Sequence, residues 1–153
     1  MSPSQALFSS RLYDETTFYQ QFRQDLLHAA REVVIESPFI AKERAKTLYP
    51  IFEQLVNRGV RVYVVTRHPR EHSETMEEQS EAEIRRFEVL GVQVFLCTGN
   101  HHRKLAIIDR QILWEGSLNI LSQAKSREIM RRIDSKETVS EMFRFLKLER
   151  YLE

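Results

Sequence analysis

The feature that most restricts the fold is an alternation between two hydrophobic periods. Short β-branched runs, Val33-Val34-Ile35, Val60 to Thr66 (VRVYVVT) and Val92 to Cys97, are separated by stretches whose apolar residues return every three or four positions. Period two describes a strand in a sheet, and a period near 3.6 describes a helix that lays one face on it. Phe18, Phe22, Leu26, Leu27 and Ala30 predict an amphipathic helix over about 15–31, N-capped by Asp14. Leu48, Ile51, Phe52 and Leu55 predict a second over roughly 43–58, closed by Gly59, with Pro50 in a first turn or at a kink. A third runs from Glu77 to Leu90 and ends at Gly91. Past Thr98-Gly99-Asn100, the runs Lys104 to Ile108 and Ile112 to Trp114 predict a hairpin turning at Asp109-Arg110-Gln111. A short strand is expected around Glu128 to Ile133, and Val139, Phe143, Leu146 and Tyr151 mark a C-terminal helix. The expected class is α/β: a mixed, mostly parallel β-sheet flanked by helices on both faces.

The 153 residues contain no linker-like stretch, so one domain over 1–153 is expected. No apolar run approaches the roughly 18 residues that span a bilayer, and MSPSQALFSS lacks the basic and apolar regions of a signal peptide. A soluble, cytoplasmic protein with no membrane partner is therefore expected. Cys97 stands alone, and no Cys/His cluster has zinc spacing, so neither a disulfide, a metal nor another cofactor is anticipated. A formal charge of +1 gives no global signature of nucleic-acid binding, and any polyanion site must be local. Residues 71–88 carry a net charge of −5, read as a solvated loop and helix face, whereas residues 101–132 carry +4.

The basic stretch also holds the chemistry. His102 and Lys104 are two apart on the expected strand, so their side chains leave the same face. Ser117 and Asn119 repeat that spacing beyond the hairpin partner, where Gly116 is expected to let a ligand approach the backbone. Imidazole, ammonium, hydroxyl and amide groups at adjacent strand ends suit a tetrahedral phosphate. Six specified residue types (His102, Lys104, Asp109, Gly116, Ser117 and Asn119) at loose spacing arise by chance with a probability on the order of 10⁻⁵.

His102-x-Lys104 followed by Asp109, then Gly116-Ser117-x-Asn119, resembles the signature of the phospholipase D superfamily, in particular its single-motif nuclease modules. The strands ending in SPFI (37–40) and VTRHP (65–69) are similar to the earlier strands of such domains. The resemblance implies metal-free phosphodiester exchange in two steps. One motif histidine attacks phosphorus and a second protonates the leaving oxygen, and His102 is the candidate for both roles. It further implies that Lys104 and Asn119 hold the non-bridging oxygens and that Ser117 hydrogen-bonds the same phosphate. Glu128 resembles the carboxylate that accepts from the histidine's other ring nitrogen, and Asp109 is expected to brace the motif loops.

No second HxK occurs, because His28, His68 and His72 are followed by Ala30, Arg70 and Glu74. One chain would thus supply half a site, and a homodimer would bring two copies of His102 together. The implied partners are nucleic acid, DNA first and RNA second, a second copy of the chain, and a helicase or restriction-type ATPase bound or fused to it. Arg103, Arg67 and Arg127 are the candidate substrate contacts, with His101 on the opposite strand face and Trp114 in the core. The rival readings are a catalytically silent DNA-binding or assembly module and a phosphatidyltransferase or phospholipase.

Overall fold

The computed structural model describes residues 9–152. Among them, seven strands form one sheet: β1 (Ser9–Asp14), β2 (Glu32–Glu36), β3 (Arg61–Arg67), β4 (Gln93–Cys97), β5 (Leu105–Ile108), β6 (Ile112–Gly116) and β7 (Ile129–Asp134). Their order across the sheet is β1-β7-β6-β5-β2-β3-β4. Four α-helices accompany them: α1 (Phe18–Leu27), α2 (Lys42–Asn57), α3 (Glu74–Leu90) and α4 (Lys136–Phe145).

Alternate residues of the central strands feed two separate apolar layers. Val33, Ile35, Val62, Val64, Ala106, Ile108 and Trp114 lie under α1, α2 and α3, meeting Phe22, Phe52 and Phe87. Val34, Tyr63, Leu105, Ile107, Leu113 and Ile133 face the other way, onto Val139 and Phe143 of α4. This burial on both faces explains why the strands read as continuous apolar runs.

The mixed sheet and the helices on both faces agree with expectation, but the balance of pairings does not. Only β2–β3 and β3–β4 are parallel. The β1–β7, β2–β5, β5–β6 and β6–β7 pairs are antiparallel. The reason is connection length: α2 and α3 supply the crossovers that parallel neighbours need, and after β4 the chain has no further crossover helix.

The start of the first helix is also corrected, a strand is added, and one of the two alternatives for Pro50 is excluded. β1 carried no sequence signal because it is an edge strand with most residues exposed, so no buried face imposes a period on it. α1 begins only at Phe18, after Thr17; Asp14 instead closes a tight turn, its carboxylate accepting from the backbone N–H groups of Thr16 and Thr17 at 2.9 and 3.2 Å. Pro50 lies inside α2 and not in its first turn.

The hairpin turn is tighter than its letters suggest. Asp109 and Arg110 both have φ of +53°, and Gln111 N–H donates to Ile108 carbonyl at 3.0 Å. That is the left-handed pair of a type I′ turn, whose twist matches the flanking strands. The Asp109 carboxylate then accepts from the backbone N–H of Ala30, Arg31 and Glu32, at 2.8, 2.7 and 3.0 Å. It therefore ties the β5–β6 turn to the start of β2, at the end of the sheet away from His102.

Candidate active site

The carboxyl ends of β2, β3 and β6 and the amino ends of β5 and β7 meet at one edge of the sheet. His102 and Lys104 lie there, in an unpaired segment just ahead of β5 and not within it as expected. His102 is exposed and Lys104 half-buried. Lys104 Nζ donates to the His102 carbonyl at 2.7 Å, so ammonium and imidazole belong to one local turn of chain.

Ser117 follows β6 and is fixed against β7. Its backbone N–H donates to the Ile129 carbonyl at 2.9 Å, and its Oγ accepts from Ile129 N–H at 3.0 Å. This close approach explains Gly116. A Cβ at that position would stand 2.2 Å from the Ile129 carbonyl oxygen, so the missing side chain makes room for β7 and not for a ligand. Glu128 sits just ahead of β7. Hydrogen bonds from Ser117 first and then Ser126 hold its carboxyl below the ordinary value, and the nearby Lys104 charge acts in the same direction. Ser117, Arg127 and Glu128, together with Asp14, Glu15 and Ile129, line a depression of about 470 Å³. Asn119 is half-buried in the turn after Leu118; its carbonyl accepts from Ser122 and Gln123 N–H at 3.1 and 2.8 Å. Its side-chain Oδ1 is enclosed without a hydrogen-bond partner among the described residues.

The ring of His102 has a partner that the sequence did not suggest. Its Nε2 lies 3.2 Å from Asn100 Oδ1, an acceptor, so a hydrogen bond between them requires the proton on Nε2. Glu128 instead faces Ser117, Ser126 and Lys104. Phe39, in the loop after β2, stands 6.3 Å from the His102 ring and 5.1 Å from that of His72.

The candidate arginines differ in how far they are committed. Arg67 is turned inward, its Nε 3.3 Å from Glu71 Oε1 and its Nη2 donating to the Glu71 carbonyl at 3.0 Å. Arg127 is exposed at the depression. Arg103 keeps 42% of its side chain in solvent while its Nε lies 3.4 Å from Glu36 Oε1. Asp109 belongs to the far end of the sheet. No described group of three or more His, Cys, Asp or Glu side chains is arranged to hold a metal ion. No helix among the described residues is long and apolar enough to cross a membrane.

Residues 22–148 match the family model described as "Cardiolipin synthase, PLD-like domain". The chain belongs to this PLD-like domain family. Comparison with curated proteins returns no match. Among solved structures, the domain superposes on NucT from Helicobacter pylori with a TM-score of 0.69 and 18% identity, over 92% of this chain and 94% of that one. It also superposes on the phospholipase D family member Nuc from Salmonella typhimurium with a TM-score of 0.72 and 17% identity, over 92% of each chain. Phosphatidylserine synthase from Haemophilus influenzae Rd KW20 gives a TM-score of 0.72 and 15% identity, over 94% of this chain but 39% of that one.

Within this PLD-like domain, the loop before the motif is held by a residue that the charge count placed in a solvated run. Glu71 accepts from the backbone N–H of Gly99 and Asn100, at 2.9 and 3.2 Å, as well as from Arg67. Asn100 adopts φ of +63°, which this clasp holds in place, and Asn100 in turn meets His102. Its only sequence signal was Gly-Asn after a strand, which marks a turn but not its anchor. The bond from Gly99 leads the causes that lower the Glu71 carboxyl below its ordinary 4.5. A carboxyl lowered on folding stabilises the clasp above that value and releases it as pH falls below. The amides of Gly99 and Asn100 are therefore expected to exchange faster below pH 4.5, after correction for intrinsic rates, and Glu71→Gln to reproduce this at neutral pH. Protection independent of both pH and the substitution would show that the clasp does not hold the loop.

Proposed function

We propose that this PLD-like domain is a metal-independent phosphodiesterase that cleaves DNA, and RNA as a second substrate, with low sequence specificity. The observation that carries the reading is the convergence, at one end of the sheet, of an exposed imidazole (His102), a cation bonded to that residue's backbone carbonyl (Lys104) and a carboxylate held ionised beside that cation (Glu128).

In the first step the imidazole lone pair of His102 attacks phosphorus, a P–N bond forms, and the P–O bond to the leaving strand breaks. The leaving oxygen takes a proton from His102 of the partner subunit. That second imidazole, now neutral, removes a proton from water, which attacks the phosphohistidine and releases phosphate ester and free His102. Imidazole suits both halves because it is nucleophilic when neutral and acidic when charged near neutral pH. Lys104 and Asn119 face the charge that builds on the non-bridging oxygens, Ser117 hydrogen-bonds the same phosphate, and Glu128 offsets the imidazolium. Arg103 and Arg127 extend the cationic surface toward neighbouring phosphates. Low specificity follows because these groups address phosphate and not base edges.

One observation favours a second reading, phosphatidyl transfer. A groove of about 520 Å³ beside Lys104 and Arg103 is lined by Leu12, Ile129, Met142 and Phe145 among others, and Leu12 and Ile129 are each 64% exposed. Such a surface could take acyl chains next to a phosphate site.

The test is plasmid and single-strand cleavage in excess EDTA, run beside phosphatidyl exchange on anionic vesicles, with the oligomeric state measured by sedimentation. Cleavage that survives chelation, in a dimer, is the expected result. Vesicle turnover without nucleic-acid cleavage would replace the nuclease reading with the second one. Binding without any turnover would point to a silent module, and a fully active monomer would remove the shared site.

A further inference from the structure

One buried ionisable side chain lies outside the proposed chemistry yet directly behind it. Glu36, the last residue of β2, has no exposed surface. It pairs with Val65 of β3 on one side and Leu105 of β5 on the other, and Val34 two residues earlier belongs to the α4-side core. Neither carboxylate oxygen makes a well-aligned hydrogen bond among the described residues. Its close neighbours are two nitrogens of one short segment: His101 Nε2 at 3.1 Å and Arg103 Nε at 3.4 Å, both from Oε1. His101 is itself buried, 8% exposed.

A carboxylate in such a place is costly, and an apolar side chain would fill the position as well or better for stability alone. What it does accomplish is geometric. His101 to Lys104 lies ahead of β5 and has no assigned strand pairing of its own to fix its path, and Glu36 holds the residue before and the residue after His102.

We propose that Glu36 is a positioning residue for the site. By gripping His101 and Arg103, the residues on either side of His102, it fixes the path of this segment and with it the place of the His102 ring. The inference rests on the phosphodiesterase reading for its kinetic consequence, but not for its structural one. Sequence reading placed His101 on the face opposite His102, but did not identify Glu36 as the group that receives it.

The test uses the full chain. Glu36→Gln keeps the shape and removes the charge. It is expected to lower kcat about 10- to 100-fold with KM unchanged, since misplacing a reacting group by about 1 Å costs that much. Amide shifts should change mainly at residues 101–104 in ¹H–¹⁵N spectra. Unchanged kcat, or a loss that follows the unfolded fraction, would overturn the proposal. Should Glu36→Gln not fold, the double variant Glu36→Leu with His101→Leu replaces the buried cluster by apolar packing. Folded but slow enzyme supports positioning; folded enzyme at wild-type kcat, or a chain that still does not fold, overturns it. If the unaltered protein turns over no phosphodiester, the functional reading fails on its own. The His102 ring and Lys104 signals then decide this inference: displaced in the variants they uphold it, and unmoved they end it.

Discussion

His102→Ala is expected to lower phosphodiester turnover by at least about 10⁴-fold, because one imidazole serves in both the bond-forming and the proton-transfer roles and neither has a substitute nearby. His101 cannot stand in, being buried against Glu36 on the opposite side of the chain. His72 packs on Phe39 with ring centroids 5.1 Å apart, and burial together with the Arg67 charge lowers its affinity for a proton. Since His102 is exposed and its ring hydrogen-bonds only Asn100 among the described residues, the substitution should leave melting temperature and dimer content within error. The decisive measurement is trapping with ³²P-labelled substrate quenched in alkaline detergent: label should remain on the unaltered protein as a base-stable, acid-labile adduct and be absent from the variant. A variant that retains turnover, or a label that persists, would remove His102 from the covalent step.

Asp25→Ala is expected to cost about 3 kcal/mol of folding stability, a large share of the roughly 5–15 kcal/mol available to a typical domain. Asp25, on α1, is 8% exposed, and its carboxylate accepts from three elements at once. Arg132 of β7 donates from Nε and Nη2 at 2.8 and 2.9 Å, Trp114 of β6 from Nε1 at 2.9 Å, and Gln21 from Nε2 at 3.1 Å. Truncation leaves a largely buried guanidinium and a fully buried indole N–H without their acceptor, which costs more than the bonds themselves contribute. The bond from Asp25 leads the causes that raise the Arg132 pKa, in keeping with a cation that depends on this partner. Urea unfolding at fixed protein concentration would show the loss as a lower midpoint with an unchanged slope. A shift worth less than about 1 kcal/mol would mean that water replaces the carboxylate at little cost. Because β6 leads into Gly116, Ser117 and Asn119, activity near the new midpoint should fall with the folded fraction and not before it.

Arg132 illustrates how composition misleads about such a site. It contributed to the basic count of residues 101–132, the stretch that holds the candidate site, yet its charge is engaged by Asp25 inside the fold. Arg67 and Glu71 behave alike: each looked like a surface charge, and each is engaged in the clasp on Gly99 and Asn100. Local sequence carries no record of a partner tens of residues away, so charges that pair across the fold are indistinguishable from charges that face solvent. Gly116 is the same problem in steric form, since only the position of Ile129 reveals what its missing side chain accommodates.

The sequence by itself determined the α/β class, the placement of the central strands and helices, and the short spacing of His102, Lys104, Ser117 and Asn119 that makes them candidates for a phosphate site. Those features depend on hydrophobic period and on residue type at short spacing, which adjacent letters specify. Tertiary structure alone decided that β1 closes the sheet beside β7, that most pairings are antiparallel, that Asn100 and not Glu128 meets the His102 ring, and that Glu36 lies behind the motif. Each of these is a contact between segments far apart in the chain or a choice of rotamer within a loop, and its energy exists only once the sheet has brought the partners together.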